Sequence, residues 1–211
     1  MTKHSYREGE LQRREEAILN NAEQLFLERG YANIKPDDIA NVVGISKATL
    51  YQHFKSKDEL VVKVLLRSYR SMNEFLAQPL DEPAIERLIA VIRRALAIHA
   101  PISIGASLSS GMRLESLWKT LHDYPQLADG KECFIQHLNT LVNKAKGEGN
   151  IDSSIPTPVV TYTLLALNRS LSDPILQAEF ANNPEQLEGV MSSVIRVFLH
   201  GVAPALVNQP T

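Results

Sequence analysis

The stretch that decides the fold is Ile34–Phe54, which reads IKPDDIANVVGISKATLYQHF. Its pattern predicts two short helices joined by a sharp turn. Gly44 can adopt a positive φ at no steric cost, so it ends the first helix. Ser46 can accept a hydrogen bond from backbone N–H groups of the second helix, so it begins that helix. The stretch is therefore interpreted as a helix-turn-helix motif.

Apolar residues of this motif recur at helical spacing and define its inner side. Ile39 and Ala40 lie on the inner face of the first helix, and the small side chain of Ala40 allows the two helices to approach closely. Leu50 and Phe54 are four residues apart, so both face inward from the second helix. The remaining positions of the second helix face outward or sideways and carry donors, a methyl group and an aromatic hydroxyl: Lys47, Ala48, Thr49, Tyr51, Gln52 and His53.

This outward face is chemically suited to DNA. No Asp or Glu occurs from Gly44 to Lys57, so phosphate oxygens meet no like charge there. We expect Thr49 and Gln52, together with Ala48, to contact base edges in a major groove. Phosphate contacts are expected from Lys47, Tyr51, His53 and Lys57. A similar helix–turn–helix also occurs in helical bundles that bind no DNA, so the motif alone leaves both readings open.

The residues around the motif resemble the DNA-binding domain of the TetR family of bacterial transcriptional regulators. The resemblance covers about sixty residues and includes REEAILNNAEQLFLERGY before the motif and KSKDELV after it. It implies a DNA-binding domain at 11–71, with its motif at 34–54, and a helical effector-binding and dimerisation domain at 72–211. The implied function is a dimeric repressor released from a palindromic operator by a small, largely apolar effector. The alternative is an architectural or protein-recruiting DNA-binding factor without an effector.

One position departs from the family pattern. The family commonly has Ser or Thr where this chain has Lys35, and that hydroxyl caps the following helix and often touches a phosphate. Lys35 has no hydroxyl with which to cap the helix. Pro36 nevertheless suits the first helical position, because its missing N–H is not needed there. Lys35 can reach a phosphate, and it can equally be a solvated surface lysine.

Charge is distributed unevenly along the 211 residues, whose net charge is −2. Residues 1–70 carry a net charge of +2 and residues 71–211 a net charge of −4. A slightly basic first part suits a DNA-binding head on a body that binds no DNA. The single cysteine, Cys133, allows no intramolecular disulfide. With no apolar run long enough to span a bilayer and no signal peptide, we expect a cytoplasmic protein with no membrane partner.

We predict an all-α fold of about nine helices, because no strand pattern occurs. Residues 1–10 are expected to form a loose polar arm before a helix at 11–29. Pro125 is expected to start a turn before a helix at 129–146. The last two long helices are apolar over wide faces, which suits either an intramolecular core or a four-helix interface between two protomers. The dimer is favoured, because a palindrome places half-sites about 34–36 Å apart.

No pattern in the chain indicates an enzyme, a metal site or a cofactor, since the usual nucleophile, zinc and phosphate-loop motifs are missing. Cys133 and His137 are four residues apart and share a helix face, so they could form a nucleophile and base. His99, His122 and His137 could form a ligand cluster. Packing or surface roles are the simpler interpretation of both groups, and we expect no catalysis.

A small-molecule pocket in the body is the more plausible site. Aromatic walls with a few polar groups suit a largely apolar ligand. The middle helices of the body provide six candidate lining residues: Met112, Trp118, His122, Tyr124, Tyr162 and Asn168. The alternative is that Trp118 and Tyr162 are core residues whose polar tips are satisfied.

Overall fold

The computed structural model describes residues 3–29, 31–97, 115–171 and 183–203, and all regular structure within these ranges is helical. The prediction of an all-α fold is confirmed. In chain order the α-helices are α1 Lys3–Arg29, α2 Pro36–Val43, α3 Lys47–His53, α4 Lys57–Ala77, α5 Ala84–Ala97, α6 Glu115–His122, α7 Pro125–Gly147, α8 Thr157–Leu171 and α9 Pro184–Val202. A 3₁₀ turn at Tyr31–Asn33 precedes α2. Among the residues described, no helix is long and apolar enough to cross a membrane.

Two helix starts differ from the predictions. The loose arm predicted for residues 1–10 is wrong from Lys3 onward, because α1 begins there. A helix already held by packing extends cheaply, since each added residue gains one backbone hydrogen bond. α7 begins at Pro125 rather than at Asp129. Proline is favourable at the first helical position, so this residue starts the helix and not a separate turn.

Helices α1, α2 and α3 pack with the first half of α4 around one buried cluster, which we call the head core. Ile18 and Phe26 of α1, Ile39 of α2 and Leu60 of α4 are all buried in it. Helices as short as α2 and α3 are marginal on their own, so burial of one face against this core keeps them helical. The head core therefore sets the position of the helix-turn-helix motif.

A segment from later in the chain also enters the head core. Leu117 of α6 is fully buried there, and Leu121, Tyr124 and Leu127 pack against the same cluster. The corner between α6 and α7 thus rests on the head. The sequence did not predict this contact, because Leu117 lies forty residues beyond the end of α4 at Ala77.

The second half of α4 packs with α5, α7, α8 and α9 around a second cluster, the body core, which includes Met72 of α4. Arg87 of α5 is buried beside this core. Its guanidinium pairs with Glu82 at 2.5 Å and donates to the carbonyl oxygens of Phe75 and Pro79 at 3.0 and 3.1 Å. These partners offset the cost of burying the charge. Since α4 belongs to both cores, it joins the head to the body.

Candidate nucleic-acid interface

The turn between α2 and α3 has the geometry that its residues predict. Gly44 adopts φ 75° and ψ 32°, in the left-handed region, and its N–H donates to carbonyl oxygens of the last turn of α2. A residue with a Cβ would be strained at this φ. The hydroxyl of Ser46 accepts from the backbone N–H of Thr49 at 3.0 Å, as expected of a helix N-cap. The turn and the cap are confirmed.

The start of α2 is capped in an unexpected way. The side chain of Lys35 makes no capping bond, but its backbone N–H donates to the carboxylate of Asp38 at 2.7 Å. Asp38 thus satisfies the N–H of the cap residue, which is one half of a capping box, and the N–H of Asp38 bonds to the backbone carbonyl oxygen of Lys35 at 3.0 Å. The Lys35 side chain remains exposed, and its phosphate contact stays a prediction.

Helix α3 is anchored from the inside and open on the outside. Leu50 and Phe54 are 3% and 5% exposed and lie in the head core. The exposed side chains of α3 are those of Lys47, Ala48, Tyr51 and Gln52. These four positions form what we call the α3 outer face. It presents a cation, a methyl group, an aromatic hydroxyl and an amide, which are groups that contact phosphates and base edges.

Lys47 of the α3 outer face already has an acidic neighbour. Its ammonium group lies 2.8 Å from the carboxylate of Asp37 on α2, and both side chains are about half exposed. This hydrogen bond raises the pKa of Lys47 above its ordinary value. Exposed ion pairs are weak, so a phosphate can displace Asp37 at little cost.

Thr49 and His53 lie to the side of the α3 outer face. The Thr49 hydroxyl is 2.8 Å from the Ser46 hydroxyl, which ties it into the cap. The His53 side chain is 5% exposed, and its Nδ1 lies 3.5 Å from a carboxylate oxygen of Glu15 on α1. Helix α1 thus covers one side of His53, which the local sequence could not indicate. The expected base contact of Thr49 and phosphate contact of His53 stay predictions.

Lys57 is turned inward rather than outward. Its ammonium group donates to the backbone carbonyl oxygens of Tyr31 and Ile34, both at 2.9 Å, and lies 3.9 Å from the centre of the Tyr31 ring. Burial lowers the pKa of Lys57. The hydroxyl of Tyr31 donates in turn to the carboxylate of Asp58. Lys57 therefore links the start of α4 to the segment before α2, and its predicted phosphate contact would compete with these bonds.

Comparison with known families identifies the head. Residues 18–64 match the sequence model of the family described as bacterial regulatory proteins, tetR family. The N-terminal domain belongs to this family. The match covers most of the head core and contains the whole α3 outer face, so the candidate interface is part of the TetR-type domain.

One curated relative shares only this TetR-type domain. The chain is 37% identical over 65 residues to IcaR of Staphylococcus epidermidis, a negative transcriptional regulator of a biofilm operon, with 31% of this chain and 35% of IcaR covered. The chain thus matches about a third of the length of that relative. Sequence similarity of this extent says nothing about the body.

Solved TetR-type structures match the fold of nearly the whole chain. A TetR-family regulator from Agrobacterium tumefaciens has a TM-score of 0.68 at 19% identity, covering 92% of this chain and 100% of that one. FadR from Bacillus subtilis, in complex with stearoyl-CoA, has a TM-score of 0.61 at 16% identity, covering 88% and 98%. At these identities the similarity shows that head and body together have a TetR-type fold.

Sequence analysis missed one exposed cation of the TetR-type head. Lys55 lies two residues beyond the end of α3 and is exposed, whereas Lys57, two positions later, is half-buried. Lys55 lies in the stretch from Gly44 to Lys57, which contains no Asp or Glu. This absence of acids could have identified Lys55 as a candidate from the sequence. It is a better placed candidate for a phosphate contact than Lys57.

The six candidate effector residues have different positions in the body. Met112 lies outside the described residues, as do the side chains of Trp118 and Asn168, although α6 and α8 contain these two positions. His122 is exposed, and Tyr162 on α8 is 60% exposed. The hydroxyl of Tyr124 donates to Glu59 of the head at 2.7 Å. The bond of Tyr124 to the head and the exposure of Tyr162 favour roles for these two residues other than lining an effector pocket.

Cys133 and His137 of α7 meet a third residue, Asn73 of α4. The Asn73 amide nitrogen donates to the carbonyl oxygen of Gly130 at 2.9 Å, so its oxygen faces His137 Nδ1, at 3.2 Å. His137 Nδ1 must therefore carry the proton and donate it. It cannot then act as a base toward the Cys133 thiol, whose sulfur is 3.8 Å away. The geometry favours a packing role over a nucleophile and base.

The proposed histidine ligand cluster cannot be described in full, because His99 lies outside the described residues. Within the ranges that the structure describes, no group of three or more His, Cys, Asp or Glu side chains could hold a metal ion.

Proposed function

We propose that this protein is a DNA-binding transcriptional regulator that reads an operator with its α3 outer face. The observation that carries the proposal is the arrangement of α3 itself. Leu50 and Phe54 fix the helix in the core of a TetR-type head, while Lys47, Tyr51 and Gln52 remain exposed. The proposed division is a DNA-binding domain at 11–71 and a body at 72–211. It is supported by the two cores, which meet along α4.

The regulator is proposed to act as a homodimer through α8 and α9. Val159 and Tyr162 of α8 are 52% and 60% exposed, and Val197 of α9 is 72% exposed. A groove between these helices is lined mainly by apolar side chains, including Leu167, Val190 and Val194. Exposed apolar surface of this kind supports an interface between copies. A palindromic operator requires two heads held at a fixed separation.

The proposed regulation is release from the operator by a small, largely apolar effector. Repression is supported by the similarity to IcaR, a negative transcriptional regulator, and a ligand in the body by the stearoyl-CoA complex of FadR. An effector shifts DNA binding only if it binds one conformation more tightly than the other. The alternative remains a DNA-binding factor whose body recruits a protein.

A thermal-shift screen with apolar small molecules separates these two possibilities. A compound that raises the melting temperature through binding to the native state and also releases DNA supports the effector. Recruitment is supported instead if compounds that stabilise the protein leave the complex with DNA intact.

The proposed function is tested by selecting DNA sequences from a random pool with the purified protein. We expect enrichment of a palindrome whose half-sites are centred about 34–36 Å apart, one helical turn, or a multiple of that distance. Binding should weaken steeply as salt increases, because phosphate contacts release counterions. A pool that shows no palindromic enrichment after repeated rounds would contradict the proposal.

Replacing Val197 by aspartate is expected to abolish dimerisation without unfolding the protomer. The position is 72% exposed, so the charge is solvated in the monomer. In an apolar interface the unpaired charge costs several kcal/mol, which weakens dimerisation at least about 100-fold. Analytical ultracentrifugation measures the change. Val42→Asp, at a 54% exposed valine of α2, is the matched control and should remain dimeric. A Val197→Asp variant as dimeric as this control would place the interface elsewhere.

A further inference from the structure

A single carboxylate connects the end of α3 to the body. Glu59 lies in the first turn of α4, and its two oxygens accept from different parts of the chain. One oxygen accepts from the backbone N–H of Lys55 at 2.6 Å. The other accepts from the hydroxyl of Tyr124 at 2.7 Å. Lys55 and Tyr124 are far apart in sequence, so Glu59 joins two distant segments of the chain through one carboxylate.

The Lys55 side of this link lies in the short turn between α3 and α4. Phe54 closes α3, and its own N–H bonds back to Leu50. Lys55 is the next residue, and Ser56 then caps α4 by accepting from the Glu59 N–H at 3.0 Å. Only these three residues separate α3 from α4. A bond that holds the Lys55 amide therefore limits how α3 can tilt relative to α4.

The Tyr124 side of the link belongs to the corner between α6 and α7. Tyr124 is the N-cap residue of α7. Its ring lies 5.5 Å from the ammonium group of Lys63, one turn beyond Glu59 on α4. Burial and the bond to Glu59 raise the pKa of Tyr124 to about 12. The hydroxyl consequently keeps its proton at neutral pH and remains a donor to Glu59.

We propose that Glu59 is a positioning residue for DNA binding, through which Tyr124 at the α6–α7 corner holds the end of α3 in its DNA-binding orientation. The proposal rests on the proposed function, since it assumes that α3 contacts DNA. Displacement of the corner removes one of the two donors to Glu59. The carboxylate is then free to rotate into solvent, and the Lys55 amide loses its acceptor. Rearrangement in the body thereby reaches α3 without any ligand contacting the head.

The test replaces Tyr124 by phenylalanine in the full-length protein, which removes the hydroxyl and leaves the ring packed. Hydrogen exchange of the Lys55 amide, measured by NMR on the free protein, is expected to accelerate about three- to tenfold, the range for loss of one hydrogen bond. Affinity for the selected operator should fall by a similar factor. Tyr69→Phe is the matched control, because Tyr69 lies on α4 against Phe134 of the body and away from the α3–α4 turn. It should change neither quantity.

A double-mutant cycle with Glu59→Ala completes the test. If the hydroxyl acts through Glu59, adding Tyr124→Phe to Glu59→Ala should cause no further loss of operator affinity. Additive losses, or unchanged Lys55 exchange in Tyr124→Phe, would overturn the proposal. Because exchange is measured without DNA, it can confirm the link even if the wild-type protein selects no operator. Failure of the wild-type protein to select an operator would count against the proposed function, and not against the link between Tyr124 and Lys55.

Discussion

Replacing both Tyr51 and Gln52 by alanine is expected to reduce operator affinity by about 1000-fold or more. A good contact to a base, as expected of Gln52, is worth about 1–3 kcal/mol. A hydrogen bond to a charged group, as expected of Tyr51 with a phosphate, is worth about 1.5–3 kcal/mol. Two residues on each of two heads supply four such contacts. Their combined loss is therefore at least about 4 kcal/mol, or roughly three orders of magnitude. Tyr51 is 43% exposed and Gln52 is exposed. Because the Tyr51 side chain also borders Leu50 and Phe54 of the head core, the free energy of unfolding is expected to fall by only about 1 kcal/mol.

Fluorescence anisotropy with the selected operator measures the affinity, and chemical denaturation measures the stability. Gln24→Ala is the control, because Gln24 is an exposed glutamine of the same head whose amide donates to Glu28 one turn later on α1. It should bind the operator as the wild type does. Undiminished binding by the Tyr51, Gln52 double variant would show that α3 is not the reading helix.

Replacing Lys57 by methionine is expected to lower the free energy of unfolding by about 2–3 kcal/mol, because hydrogen bonds to a charged group are worth about 1.5–3 kcal/mol. The carbonyl oxygens of Tyr31 and Ile34 both lose their donor, and the contact with the Tyr31 ring is lost as well. The slope of log affinity against log salt should stay near that of the wild type. Chemical denaturation and a salt titration of operator binding measure the two effects.

Lys55→Met serves as the control, because it is expected to change the salt dependence of operator binding and leave the stability nearly unchanged. Its residue is exposed, so stability should change by no more than about 0.5 kcal/mol. If Lys55 contacts a phosphate, the salt slope should fall by about one unit per head. A Lys57→Met variant with wild-type stability and a reduced salt slope would support the phosphate contact predicted from the sequence and contradict the inward role.

The local features of the head could be predicted because each depends on residues a few positions apart. Gly44 ends α2 through its own φ, and Ser46 caps α3 through an amide three residues later. Leu50 and Phe54 are buried because helical spacing places them on one face. The family model confirms the identity of this segment. The spacing of residues within one motif was sufficient for these features.

The orientations of individual polar side chains could not be predicted in the same way. His53 lies on a helix face that looks outward within the motif, but α1 packs beside it and Glu15 is its neighbour. Lys57 is turned inward because two carbonyl oxygens of the segment before α2 lie within reach of its ammonium group. Both cases depend on segments brought together only by folding.

The sequence by itself determined that this protein is helical, that it has a helix-turn-helix of TetR type, and where the turn and caps lie. Short-range hydrogen bonds and hydrophobic periodicity determine these features, so the features can be predicted without knowledge of the rest of the chain. Tertiary structure alone decided which cations stay exposed and that the α6–α7 corner rests on the head. Those outcomes depend on contacts such as that of Tyr124 with Glu59, 65 residues apart, for which no local pattern exists.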